Sequence, residues 1–82
     1  MTTQLADLTH LVRDLLRNHD IDLEETAPFD DLPLWDSMYL VALVVEVEDH
    51  FGVMFEPEEI EGIVTPADLL RLIANKRVLV RN

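Results

Sequence analysis

Residues 36–52 read DSMYLVALVVEVEDHFG, and whether that run is a strand or a helix decides the fold. Val44, Val45 and Val47 are β-branched, and Val45-Glu46-Val47-Glu48 alternates apolar with polar, the pattern of a half-buried strand. The longer-range spacing says otherwise. Leu40, Leu43, Val44, Val47 and Phe51 recur at i, i+3, i+4, i+7 and i+11, a continuous stripe along one side of a helix. Asp36 is a good N-cap at one end, and Gly52 readily takes the left-handed conformation of a C-cap at the other. The run therefore predicts a helix that buries this stripe. Met38, Val41 and Val45 then fall on a different side, with Ala42 beside them and Glu48 and Asp49 at the far end. They form a second apolar stripe, expected to face solvent.

On the C-terminal side, Val53-Met54-Phe55 leads to a short helical turn at 57–61, where Pro57 suits the first helical position and Glu58 and Glu59 suit the positive helix end. Gly62 ends it. Thr65 then opens a last helix as N-cap, with Pro66 at N1 and Asp68 at N3, placed to return a hydrogen bond to the cap. Leu69, Leu70 and Ile73 face inward, Lys76 and Arg77 close the helix, and 78–82 form a tail. On the N-terminal side, Leu5, Leu8, Val12 and Leu15, widened by Leu11 and Leu16, predict a first helix over about 3–18. Asp7 near its start and Arg13 and Arg17 near its end suit the helix dipole, and Asn18-His19-Asp20 offers a stop. Residues 20–36 carry two prolines and no sustained periodicity, a long loop whose Ile21, Leu23, Phe29, Leu32 and Leu34 are expected to be pinned onto the helices. A loop of that length in a small domain points to function. The chain reads as all-α, with three longer helices and one short one.

With 82 residues and 9.4 kDa there is room for one domain, residues 1–82, around one core. Apolar residues make up 49% and charged residues 28%, enough to fold despite a net charge of −11. The chain has no Cys, which excludes disulfides, thiolate metal sites and a cysteine nucleophile, so thiol chemistry must use an imported thiol. The longest apolar run is 38–45, far short of the roughly 20 residues of a membrane-spanning helix, so no membrane association is expected. The N-terminus, Met1-Thr2-Thr3-Gln4, lacks the basic region and apolar stretch of a secretory signal, and a cytoplasmic setting is expected. Between Arg17 and Arg71 stand 15 Asp or Glu and no Lys or Arg. That acidic face repels nucleic acid and steers a basic protein surface toward it.

The stretch from Leu34 to Ile73, LWDSMYLVALVVEVEDHFGVMFEPEEIEGIVTPADLLRLI, resembles the phosphopantetheine-attachment region of acyl carrier proteins. Their pattern is Asp-Ser-Leu, an amphipathic helix, an acidic pair shortly before Phe-Gly, an apolar segment, a short acidic helix and a Thr-opened final helix. Asp36-Ser37-Met38 alone is weak; its distance to Phe51-Gly52, and from there to Thr65, makes the likeness specific. Helix one and the long loop agree with the family in length and order. The resemblance implies a four-helix bundle with a long loop between helices one and two, working as a free-standing carrier.

It further implies that Ser37, preceded by Asp36, carries 4′-phosphopantetheine derived from coenzyme A, whose thiol holds an acyl or aminoacyl group as a thioester. This reconciles the missing cysteine. A serine in the first turn of a helix presents its hydroxyl outward, and the helix N-terminus favours a phosphodiester placed there. No residue near Ser37 in the sequence is an obvious base, so a phosphopantetheinyl transferase is the implied catalyst, and the chain is a substrate rather than an enzyme. The other implied partners are an acyl- or aminoacyl-loading enzyme and downstream biosynthetic enzymes with basic docking surfaces; the chain itself is expected to be a monomer. Met38, Val41, Ala42 and Val45 are read as a docking patch, the core being already filled by the first stripe. Glu48 and Asp49 are either a plain solvated face or contacts for basic residues of partners. Two departures from fatty-acid carriers stand out. Trp35 replaces a small residue and either packs under the loop, the preferred reading, or shapes recognition of the arm. Tyr39 and Ala42 occupy positions where acidic residues are usual, which points to a specialised route such as polyketide, nonribosomal peptide or modified-sugar assembly.

Other chemistry is poorly supported. His10, His19 and His50 are too dispersed for a metal site. Residues 19–25 imitate a calcium loop but lack its central Gly and its bidentate Glu. There is no glycine-rich phosphate loop or nucleophile elbow. Two rival functions remain: an unmodified acidic adaptor that binds a partner through the helix-two stripe, and a small hydrolase using Ser37, which needs a base brought within reach by folding.

Overall fold

The structure, a computed structural model, describes residues 4–80. Four α-helices follow in order: α1 (Gln4–Leu16), α2 (Ser37–Phe51), α3 (Pro57–Glu61) and α4 (Pro66–Val80), with a 3-10 turn at Phe29–Asp31 inside the long loop. All the regular structure of the described residues is helical, in the three-long, one-short arrangement.

The helical reading of 36–52 holds. Asp36 is extended at φ −148° and its side chain accepts the Tyr39 N–H at 3.1 Å, while Gly52 sits at φ 69° and donates its N–H to the Glu48 carbonyl at 2.9 Å. Leu43, Val44 and Val47 are buried, and Met38, Val41 and Val45 are exposed. Burial of a 3.6-residue stripe outweighs the strand propensity of the valines. Six side chains from three helices, Leu8, Val12, Leu43, Val47, Leu69 and Ile73, are wholly buried and join α1, α2 and α4 in one core.

Helix α1 stops at Leu16 rather than Asn18. Arg17 turns to φ 53°, its N–H reaches the Asp14 carbonyl at 3.3 Å, and the Asn18 N–H reaches the Arg13 carbonyl at 3.0 Å. This pair of bonds is a Schellman closure, with arginine where glycine is usual. The expected start at Thr3 lies outside the described residues. Helix α4 runs on to Val80, past the expected close at Lys76 and Arg77, because no glycine or proline follows to end it. Lys76 instead binds sideways: its Nζ is 2.9 Å from Glu59 Oε1 and 5.8 Å from the centre of the Phe55 ring, tying α3 to α4. Of the expected tail, Arg81 and Asn82 lie outside the described residues.

The long loop is held by its backbone as much as by its side chains. Arg13 Nε donates to the Ile21 carbonyl at 2.6 Å and its guanidinium pairs with Asp22 at 3.2 Å. The Phe29 N–H donates to the Val64 carbonyl at 2.9 Å, and the Ala67 N–H to the Glu25 carbonyl at 2.9 Å. Ile21, Leu23 and Phe29 are buried and Leu32 is half-buried, as expected; Leu34 is not, with 86% of its surface exposed. Its position in a tight turn directs it outward.

Candidate functional site

Ser37 is the only serine of the chain and the first residue of α2, and it is exposed. Its neighbours define the helix end. Asp36 Oδ1 takes the Tyr39 N–H at 3.1 Å and the Asp36 carbonyl takes the Leu40 N–H at 3.2 Å. Among the described residues, the Ser37 and Met38 N–H groups and the Ser37 hydroxyl have no protein hydrogen-bond partner. The result is a free hydroxyl beside two outward-pointing amides at the positive end of a 15-residue helix, a surface that accommodates an anionic substituent.

The segment before Ser37 is built by rings and a turn. Trp35 stacks on buried Phe29 at a centroid distance of 5.0 Å and on Tyr39 at 6.0 Å, so a column of three aromatics runs from the core to the first turn of α2. Trp35 thus packs, in line with the preferred reading. Ahead of it, the Trp35 N–H donates to the Leu32 carbonyl at 3.3 Å, with Pro33 second in the turn and Leu34 third at φ 64°. Proline second and a positive φ third define a type II turn, whose third position favours glycine.

Along α2, Met38 is 74% exposed, Val41 52% and Val45 56%, with Ala42 half-buried beside them. Asp49 is exposed. Glu48 also holds the chain beyond the helix, because its Oε2 accepts the Phe55 N–H at 2.9 Å and so fixes the connection to α3. Among the described residues, no three His, Cys, Asp or Glu are grouped to hold a metal ion, and no histidine is bonded to Ser37. No helix among them is long and apolar enough to cross a membrane. Sequence reasoning missed the exposure of Leu34 and the 3-10 turn; for Leu34 the available signal was Pro33, which favours the second position of a turn.

Residues 6–73 match the family described as "Phosphopantetheine attachment site". The chain belongs to the acyl carrier protein family. The holo acyl carrier protein of Geobacter metallireducens, solved in solution, is 28% identical and superposes with a TM-score of 0.83 over 95% of this chain and 92% of that one. An oxytetracycline acyl carrier protein is 26% identical with a TM-score of 0.77, covering 100% of this chain and 90% of that one. The acyl carrier protein of Thermotoga maritima, at 24% identity, a TM-score of 0.83 and coverage of 94% and 89%, adds likeness of fold.

As an acyl carrier protein the chain carries 4′-phosphopantetheine covalently, and that group supplies the thiol on which cargo is held as a thioester. Carrier proteins of this family are not themselves catalytic and work with phosphopantetheinyl transferases and acyl-handling enzymes. The free hydroxyl and the two unfilled amides at the head of α2 suit a phosphodiester-linked group.

Proposed function

We propose that Ser37 is the attachment residue and that residues 1–82 act as one carrier domain, delivering acyl or aminoacyl thioesters in a specialised biosynthetic pathway. The observation that carries the assignment is the exposed, unbonded hydroxyl of the chain's only serine at the first position of α2. On attachment, Ser37 Oγ forms a bond to the phosphorus next to the pantetheine of coenzyme A. The phosphoanhydride bond breaks, adenosine bisphosphate leaves, and the hydroxyl proton passes to a base of the transferase. Asp36 holds the first turn of α2 in place by accepting the Tyr39 N–H.

Met38, Val41, Ala42 and Val45 supply the apolar part of the docking surface, and Glu48 and Asp49 its acidic border. The partners this suits present an apolar patch among Lys and Arg, and the carrier meets them as a monomer in the cytoplasm. Tyr39 and Ala42, in place of acidic residues, favour partners other than those of fatty-acid synthesis, and one of the similar structures is the oxytetracycline carrier.

Incubation with coenzyme A and a promiscuous phosphopantetheinyl transferase, followed by intact-mass measurement, tests the assignment. Wild type is expected to gain one phosphopantetheine and Ser37→Ala none. An unmodified wild type overturns the reading and leaves the acidic adaptor in its place.

A further inference from the structure

We propose that Leu34 is a recognition residue for the phosphopantetheinyl transferase, a side chain held out from the strained turn before Ser37 to enter an apolar socket bordered by Lys or Arg. The inference rests on the assignment of Ser37 as attachment residue.

Leu34 combines two unfavourable features. Its φ of 64° lies in the left-handed region, which glycine occupies without steric cost and a branched aliphatic side chain does not. Its side chain is 86% exposed, the most of any large apolar residue in the described chain. The surroundings hold the strained backbone in place, through the Trp35 N–H bond to the Leu32 carbonyl and the stack of Trp35 on Phe29, but a side chain at such a position can still offset the cost by its own burial or hydrogen bonding. In the free protein Leu34 receives neither, since it is apolar and in solvent. Glycine in the same turn removes both penalties at once. The leucine side chain therefore has its use outside the free chain.

Position identifies the user. Three peptide units separate Leu34 from Ser37, so their Cα atoms are within about 11 Å of each other. An enzyme that brings its catalytic groups to the Ser37 hydroxyl works within reach of this turn. Met38, 74% exposed, follows Ser37 in the chain, so unburied apolar side chains stand both before and after the serine in the sequence. Charge sets the socket's border. Asp30, Asp31 and Asp36 are all exposed around the turn, and no Lys or Arg occurs between Arg17 and Arg71. A partner face that is apolar at its centre and basic at its rim complements this arrangement.

The test compares wild type, Leu34→Gly and Leu34→Met as substrates of the transferase, with coenzyme A in excess, reading kcat/KM by intact mass and melting temperature by circular dichroism. Leu34→Gly is expected to melt higher, by roughly 2–8 °C, because the strain the turn loses exceeds the unfolded-chain entropy that glycine adds. It is nevertheless expected to be modified roughly 5- to 30-fold more slowly, the range of an interface anchor. Leu34→Met, apolar and under the same strain, is expected to stay within about twofold of wild type in rate, as volume-conserving apolar exchanges do. A Leu34→Gly protein modified at the wild-type rate overturns the proposal. So does an equal loss of rate in Leu34→Gly and Leu34→Met, or a loss in Leu34→Gly accompanied by a lower melting temperature, since the backbone and not the side chain would then be at issue. A wild type that gains no adduct overturns the assignment of Ser37 instead, so the two failures are distinguishable.

Discussion

Among the described residues two non-glycine residues take positive φ, Arg17 at 53° and Leu34 at 64°, and they end differently. Arg17 closes α1 with two backbone hydrogen bonds, and its side chain is exposed. Nothing in the closure uses the guanidinium. A left-handed non-glycine residue costs about 1–2 kcal/mol, and glycine gives back about 0.4–1 kcal/mol through the entropy of the unfolded chain. Removing the arginine also removes a cation from the negative end of α1, worth about 0.3–1 kcal/mol, so Arg17→Gly is expected to stabilise the fold by no more than about 0.5 kcal/mol at low salt and by more at high salt, read as the urea midpoint with an unchanged slope. Both positive angles follow from a turn or a closure rather than from periodicity, and this is why the sequence under-reports them. The expected helix end at Asn18 overruns the left-handed residue because arginine gives no glycine signal. Leu34 reads as a core residue because apolar loop residues usually are, although Pro33 already marks the turn that directs it outward.

At the scale of elements, helix starts are the most legible feature. Asp36 caps α2, and Thr65 and Asp68 cap α4 reciprocally: the Asp68 N–H donates to Thr65 Oγ1 at 3.3 Å, and Asp68 Oδ2 accepts the Thr65 N–H at 3.0 Å. Side-chain caps are local, so residue type and spacing suffice to find them. The proposed site is legible for a different reason: Asp36-Ser37-Met38 is weak by itself, and its distances to Phe51-Gly52 and Thr65 single out Ser37. Helix ends and the interior of the loop depend on distant partners, such as Val64 for Phe29 and Glu59 for Lys76, and short-range pattern carries no record of those. The caps also set a pH dependence. Asp68 is held below its ordinary value of 3.8, first by the Thr65 N–H and then by the Val64 N–H. Glu59 is held below 4.5 by the Glu56 N–H and then by Lys76. A depressed carboxylate adds stability that is complete above its unfolded value and is lost as pH falls through its folded value. Asp68→Asn is therefore expected to be less stable than wild type at neutral pH, and the gap in urea midpoint is expected to close as pH falls below 3.8. Taking the difference between the two proteins cancels the titration of the other carboxylates. A gap that stays constant down to the acid limit removes the charged cap from the account.

The whole molecule is dominated by charge of one sign, 15 acidic residues with no Lys or Arg between Arg17 and Arg71. That stretch contains α2, α3 and the loop that leads to Ser37, so the field of the free chain and the surface proposed for docking coincide. Salt then acts on folding and on association in opposite directions. Screening relieves repulsion among the carboxylates and stabilises the fold, while it removes the attraction that draws a basic partner in. Between about 0.01 M and 1 M salt the screening length shrinks from about 30 Å to about 3 Å, and electrostatic steering contributes roughly 10- to 1000-fold to an association rate. The second-order rate of Ser37 modification by a phosphopantetheinyl transferase is therefore expected to fall at least about tenfold over that range while the melting temperature rises. The opposite signs exclude unfolding as the cause of the slower rate. A modification rate that does not depend on salt, measured below saturation with the transferase shown to keep its own fold, separates the acidic face from docking and leaves recognition to the apolar residues of α2 and the turn.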